Sequence, residues 1–123
     1  MLTGMKIALP TRDDQTISGH FGKMKALIVV DVIDGVVTAR ERRDMSGMPP
    51  CGSDHSAKPK FVVDKITDCD VLIAGGIGSA MRDLVSEANI EVVLTRERLI
   101  DTAIEKYTKG TLTNDAQLAH APR

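Results

Sequence analysis

The chain has 123 residues, 42% of them apolar, and a formal net charge of −1. That length suits one domain with a real core, and the near-neutral balance gives no reason to expect nucleic acid or an anionic membrane as a partner. No apolar run approaches a membrane span, and the N-terminus lacks the basic and apolar regions of a signal peptide, so a cytoplasmic location is expected.

Aromatic residues make up only 2% of the chain, so the core must be built from Val, Ile, Leu, Ala and Met. The two cysteines, Cys51 and Cys69, are expected as reduced thiols, and their spacing fits no zinc-finger pattern. Residues 6–10 read as a first strand, ended by Pro10 and the polar Thr11-Arg12-Asp13-Asp14. The loop continues through Ile17-Ser18-Gly19-His20-Phe21-Gly22, a histidine set between two glycines. Glycine opens backbone conformations closed to other residues, and histidine is the commonest metal ligand among side chains. A tight surface turn with a solvated imidazole is the plainer alternative.

Residues 26–32 are rich in β-branched residues and almost continuously apolar, as a strand covered on both faces should be. Asp34-Gly35 signals a tight hairpin. The returning strand, 36–43, gains charge toward its end, which suits a sheet edge. A long irregular stretch, 44–56, follows, with Met45, Met48, Cys51 and His55 as soft or borderline donors. Loops this long inside a compact domain are functional or disordered. A helix is expected from about Pro59 to Thr67, with Phe61, Val62 and Ile66 inward and Cys69 in the core.

Residues 71–74 read as a buried strand, and Gly75-Gly76-Ile77-Gly78 turns out of it. Met81, Leu84, Val85 and Ala88 then recur at helical spacing, with Ser79 as N-cap and Asn89 as stop. The free N–H groups and dipole at such a helix start favour an anion, although the glycines match neither a Walker motif nor the full dinucleotide fingerprint. They could equally serve only to turn the chain. Residues 91–94 form another strand. Thr95 could cap a last helix that buries Leu99, Ile100, Ala103, Ile104 and Tyr107 and ends at Gly110. The domain is therefore expected over 1–112, with a disordered tail over 113–123 whose His120 has no assigned role.

Strands separated by helices favour a largely parallel sheet with helices on both faces. The hairpin reverses the chain once, so only the second strand opposes the others. The His20 loop, the Met45–His55 loop and the Gly75–Gly78 turn then leave the sheet at its carboxyl edge, where open α/β sheets bind ligands. Lys23, Lys25, Arg12 and Arg82 flank them and could offset a negative ligand. No hydrolase elbow appears, and no carboxylate pair is placed for two-metal chemistry.

Two stretches, Lys6-Ile7-Ala8-Leu9-Pro10 running on to Ile17-Ser18-Gly19-His20-Phe21-Gly22, and Asp70 through Gly78, resemble the dinitrogenase iron–molybdenum cofactor biosynthesis family. Its members include NifX-like and NafY-like carriers and the C-terminal domain of NifB. The resemblance covers most of residues 5–110. It implies a ribonuclease-H-like α/β/α fold with a five-stranded mixed sheet of order 3-2-1-4-5. It also implies a non-catalytic carrier of an iron–sulfur or molybdenum–iron–sulfur cluster, served by cluster donor and acceptor proteins. His20 matches the family's histidine and is the first candidate contact. Gly19, Phe21, Gly75, Gly76, Gly78, Lys23 and Arg82 would surround the cluster, with Cys51 and His55 as further metal ligands. Two alternatives are a small phosphate- or nucleotide-binding regulatory module built on Gly75–Gly78, and a nuclease suggested by the implied fold alone.

Overall fold

The structure is a computed structural model that describes residues 4–18, 24–45, 57–112 and 119–120. Its main sheet is built from β1 (Gly4–Thr11), β2 (Ala26–Ile33), β3 (Val36–Asp44), β4 (Val71–Ala74) and β6 (Glu91–Leu94), in the order β3-β2-β1-β4-β6. β1 pairs antiparallel with β2 and parallel with β4, and β4 pairs parallel with β6. This is the mixed five-stranded sheet expected from the sequence, with β2 the one reversed strand. A two-residue strand, β5 (Ile77–Gly78), lies outside it between β4 and α2.

The hairpin forms where Asp34-Gly35 predicts it. Asp34 and Gly35 take φ of 51° and 81°, the paired positive values that a tight turn between twisted strands requires. Helices α1 (Ala57–Asp64) and α2 (Ser79–Glu87) cover one face of the sheet, and α3 (Ile100–Thr108) covers the other. Alternation along the strands divides the core accordingly. Ala8, Leu27, Val29 and Leu72 meet Val62, Ile66, Met81 and Val85 on the first face. Ile7, Leu9, Ile28 and Val30 meet Ile100, Ala103 and Ile104 on the second. Cys69 is buried in the first cluster, as its place after α1 suggests.

Several local expectations change. α1 begins two residues before Pro59, which a first turn tolerates because the missing N–H has no helical partner there. α1 ends at Asp64, and Ile66 reaches the core from the tighter turns that follow, with Lys65 and Ile66 donating to the Val62 and Val63 carbonyls. α2 closes at Asn89, whose φ of 64° is the left-handed stop its sequence predicts. α3 is not capped by Thr95. That residue is buried, and its hydroxyl accepts the Glu97 amide at 3.0 Å in a local turn. Leu99 stands at the N-cap position with 52% of its surface exposed, so it lies outside the buried face assigned to it. Among the described residues, no helix is long and apolar enough to cross a membrane.

β3 is the outer strand, and its arginines tie it back to the body. Arg40 and Arg42 share a face with Val30 and Ile28, and they pair with Asp101 at 2.6 Å and Asp14 at 2.9 Å. Arg43 faces the α1 side and pairs with Asp68 at 2.6 Å. A register shift at Asp31/Val32 lets the Thr38 hydroxyl donate to the Asp31 carbonyl.

Candidate functional site

The carboxyl ends of β1, β4 and β6 define one edge of the sheet, and the backbone hydrogen bonds there form a chain. The Ser18 N–H donates to the Pro10 carbonyl at 2.8 Å, and the Lys25 N–H donates to the Thr11 carbonyl at 2.9 Å. The two ends of the segment holding Gly19, His20, Phe21 and Lys23 are therefore fixed to consecutive residues of β1. The Met45 N–H then donates to the Lys25 carbonyl at 3.0 Å. That bond sets Met45, the last described residue before the stretch holding Cys51 and His55, next to Lys25. Across β4, the Thr95 N–H donates to the Ala74 carbonyl.

A polar knot stiffens the approach to Ser18. Thr11 is buried and its hydroxyl donates to the Thr16 carbonyl at 2.7 Å. The Asp13 carboxylate accepts the amides of Thr16 and Gln15, at 2.8 and 3.0 Å, and the Thr16 hydroxyl. The Thr16 amide, with that of Gln15 and the Thr16 hydroxyl behind it, holds the Asp13 carboxyl down at about 2. Asp14, at φ 67°, offers its carbonyl to Arg40 and its carboxylate to Arg42. On the other side, the Ile17 N–H donates to the Arg98 carbonyl and the Ile100 N–H to the Gln15 carbonyl. The loop is thus tied to β3 and to the start of α3 at once. Sequence reading treated Thr11–Thr16 only as a polar loop; the Asp-x-x-Thr spacing is the signal for the turn it makes.

The expected site residues divide into two groups. Gly19, His20, Phe21, Lys23, Cys51 and His55 lie outside the described residues, as does Met48. Gly75 and Gly76 follow β4 at the carboxyl edge, half-buried and buried in turn. Gly78 belongs to β5 and directly precedes α2, whose first turn carries no acidic residue. The direct turn from glycines into helix is thereby corrected: Ile77, fully buried, anchors a short strand first. Arg82 sits half-buried on α2, while Arg12 and Lys25 are exposed. Met45 is not a presented donor. It is 2% exposed and packs in the core with Met24, because the Lys25 bond draws it inward.

The tail also departs from expectation. Ala119–His120 form β7, parallel to β5, with Ala119 opposite Ile77 and His120 opposite Gly78. Residues 113–118 and 121–123 lie outside the described residues.

A second polar cluster, which ties the end of β3 to the turn after α1, has a structural role. Arg43 donates to both carboxylate oxygens of Asp68, at 2.7 and 2.6 Å, and to the Lys65 carbonyl at 2.6 Å. Lys6 donates to Asp68 at 3.3 Å. The Arg43 guanidinium holds the Asp68 carboxyl well below the usual carboxylate range. Burial, and then the Asp68 charge, push the Cys69 thiol up to about 12, so it is no thiolate at neutral pH. Among the described residues, no group of three or more His, Cys, Asp and Glu side chains could hold a metal ion.

The fold is shared with solved structures. PH0822 superposes with a TM-score of 0.74 at 25% identity, over 93% of this chain and 97% of its own. MJ0327, a dinitrogenase candidate from Methanocaldococcus jannaschii, gives 0.69 at 22% identity, over 93% and 97%. The apo form of the orange protein from Desulfovibrio gigas gives 0.72 at 19% identity, over 91% and 93%. No curated protein matches the chain. Residues 4–110, from the first residue of β1 to the glycine after α3, match the family described as Dinitrogenase iron-molybdenum cofactor. The chain belongs to the dinitrogenase iron–molybdenum cofactor family.

Proposed function

We propose that the protein is a non-catalytic carrier of an anionic iron–sulfur or molybdenum–iron–sulfur cluster, held at the carboxyl edge of the sheet. The observation that carries this reading is the hydrogen-bond chain from Thr11 through Lys25 to Met45. It sets side by side the described residues, Lys25 and Met45, next to which run the stretches that hold His20 and that hold Cys51 and His55. Chain connectivity keeps His20 within two residues of Ser18, or about 7 Å. Imidazole and thiolate suit the iron of such a cluster. The acid-free first turn of α2 and the half-buried Arg82 favour its negative charge. Family membership supports a metal–sulfur cargo in general. Donor and acceptor proteins for the cluster follow from that role, since a carrier must be loaded and emptied.

The test is an anaerobic absorption titration with a molybdenum–iron–sulfur cluster, on wild type and His20→Ala. Saturable binding that weakens at least tenfold in the variant supports the reading. Equal binding by both proteins removes His20 from the site. Absence of binding, together with a melting temperature raised by nucleotide or inorganic phosphate, replaces the carrier with a phosphate-binding module.

A further inference from the structure

We propose that the groove between the β2–β3 hairpin and α3 is a self-association surface, occupied by the same surface of a second copy of this chain. The inference is independent of the carrier reading. The groove has a volume of about 500 Å³. Its floor is the buried pair Val30 and Ile104, and its outer lip is Val36 and Val37. Val37 stands opposite Val32, which packs on the α3 side of the sheet, so Val37 faces that side as well. α3 does not cover it. Val36 and Val37 are 63% and 45% exposed, and they are two of the three large apolar side chains exposed among the described residues. Adjacent apolar residues beside a recess mark an interaction surface, where single scattered ones would not.

Charge selects the occupant. Arg40 reaches from β3 to Asp101 of α3 at 2.6 Å, and Lys109 reaches Glu105 at 2.7 Å. All four line the groove, so its charged lining is two cations and two anions. It offers no net field to an anionic cluster or to a nucleic acid. The complementary partner carries both signs beside an apolar patch, which describes this surface itself. A two-fold contact requires such self-complementarity, since what one copy presents the other must receive. Lip and floor are neighbours here, so a two-fold seats the Val36–Val37 lip of each copy over the Val30–Ile104 floor of the other. Glu105 of one copy then meets Lys109 of the other. The chain's net charge of −1 puts little repulsion between copies. One hairpin and one helix face make a small patch, at the transient end of protein interfaces. The association is therefore reversible and concentration-dependent.

The test is sedimentation equilibrium on the full, cargo-free chain, from micromolar to millimolar concentration at low ionic strength. Wild type is expected to shift reversibly from monomer to dimer. Val37→Lys should weaken the dimer about tenfold or more with the melting temperature retained. Glu105→Lys and Lys109→Glu should each weaken it too, because like charges then face each other across the two-fold. An equimolar mixture of those two variants should recover wild-type association, since each supplies the charge the other lacks. The charge variants decide the matter where Val37→Lys also destabilises the fold. A wild type that stays monomeric at millimolar concentration overturns the proposal. So does a dimer that a well-folded Val37→Lys leaves intact, or a mixture that associates no better than either charge variant alone.

Discussion

Asp13 accepts the backbone amide of Thr16 at 2.8 Å and its hydroxyl at 2.9 Å, closing the turn that leads into Ser18. These donors hold the folded-state pKa at about 2, below the unfolded value of about 3.9. A depressed carboxyl contributes stability that is complete above the unfolded pKa and is lost as pH falls through the folded one. The Asp13→Asn variant should therefore be less stable than wild type at pH 6, and the gap should shrink between about pH 4 and pH 2. Urea midpoints across that range are the measurement. A gap that stays constant with pH would show that the Asp13 charge has no part in the turn.

The Arg43–Asp68 pair is a two-pronged clamp between the outer strand and the turn after α1. Both groups retain solvent contact, with side chains 20% and 47% exposed, so their coupling is screened. A double-mutant cycle with Arg43→Ala and Asp68→Ala should give a coupling of about 1 kcal/mol, and less in 1 M salt. A coupling of zero at low salt would make the contact incidental.

Met45 separates packing from ligation. Met45→Leu conserves volume and should cost less than about 1.5 kcal/mol. Met45→Ala should cost about 2–5 kcal/mol, as a buried truncation does. Cluster affinity should be the same in Met45→Leu as in wild type. A Met45→Leu protein that is fully stable yet loses the cluster would restore the thioether as a ligand.

The Cys69 thiol, pushed up to about 12 and buried in the core, should be inert in the folded protein. In a Cys51→Ser variant it is the sole thiol. Ellman's reagent at pH 8 should find no reactive thiol in the native variant and one after unfolding in guanidinium. Rapid reaction in the native state would contradict the burial.

The layers, the sheet order and the hairpin were legible because each follows from a local signal. Residues 26–32 show the apolar run of a covered strand, Asp34-Gly35 the paired positive φ, and 81–88 the helical period. Helix ends were less legible. Thr95 has the right chemistry for a cap, but the bond from its amide to Ala74 draws it inward, where its hydroxyl serves Glu97 instead. Met45 read as a donor because its residue type suits soft metals; its burial depends on a bond to Lys25 that spans the hairpin. At the candidate site, the topology accounts for the described flanking residues Ser18, Lys25 and Met45 lying at one edge. The knot of Thr11, Asp13 and Thr16 was written in a spacing that a polar loop conceals, and the return of His120 to Gly78 in no spacing at all, because two residues carry no period.

The roots of the His20 and Cys51 segments are main-chain bonds, from Ser18 to Pro10, Lys25 to Thr11 and Met45 to Lys25. A peptide group offers the same donor and acceptor whatever side chain it bears, proline excepted. The mount is thus indifferent to what is fitted on it. Segments of other composition could be grafted onto the same anchor points while the foundation stays as it is.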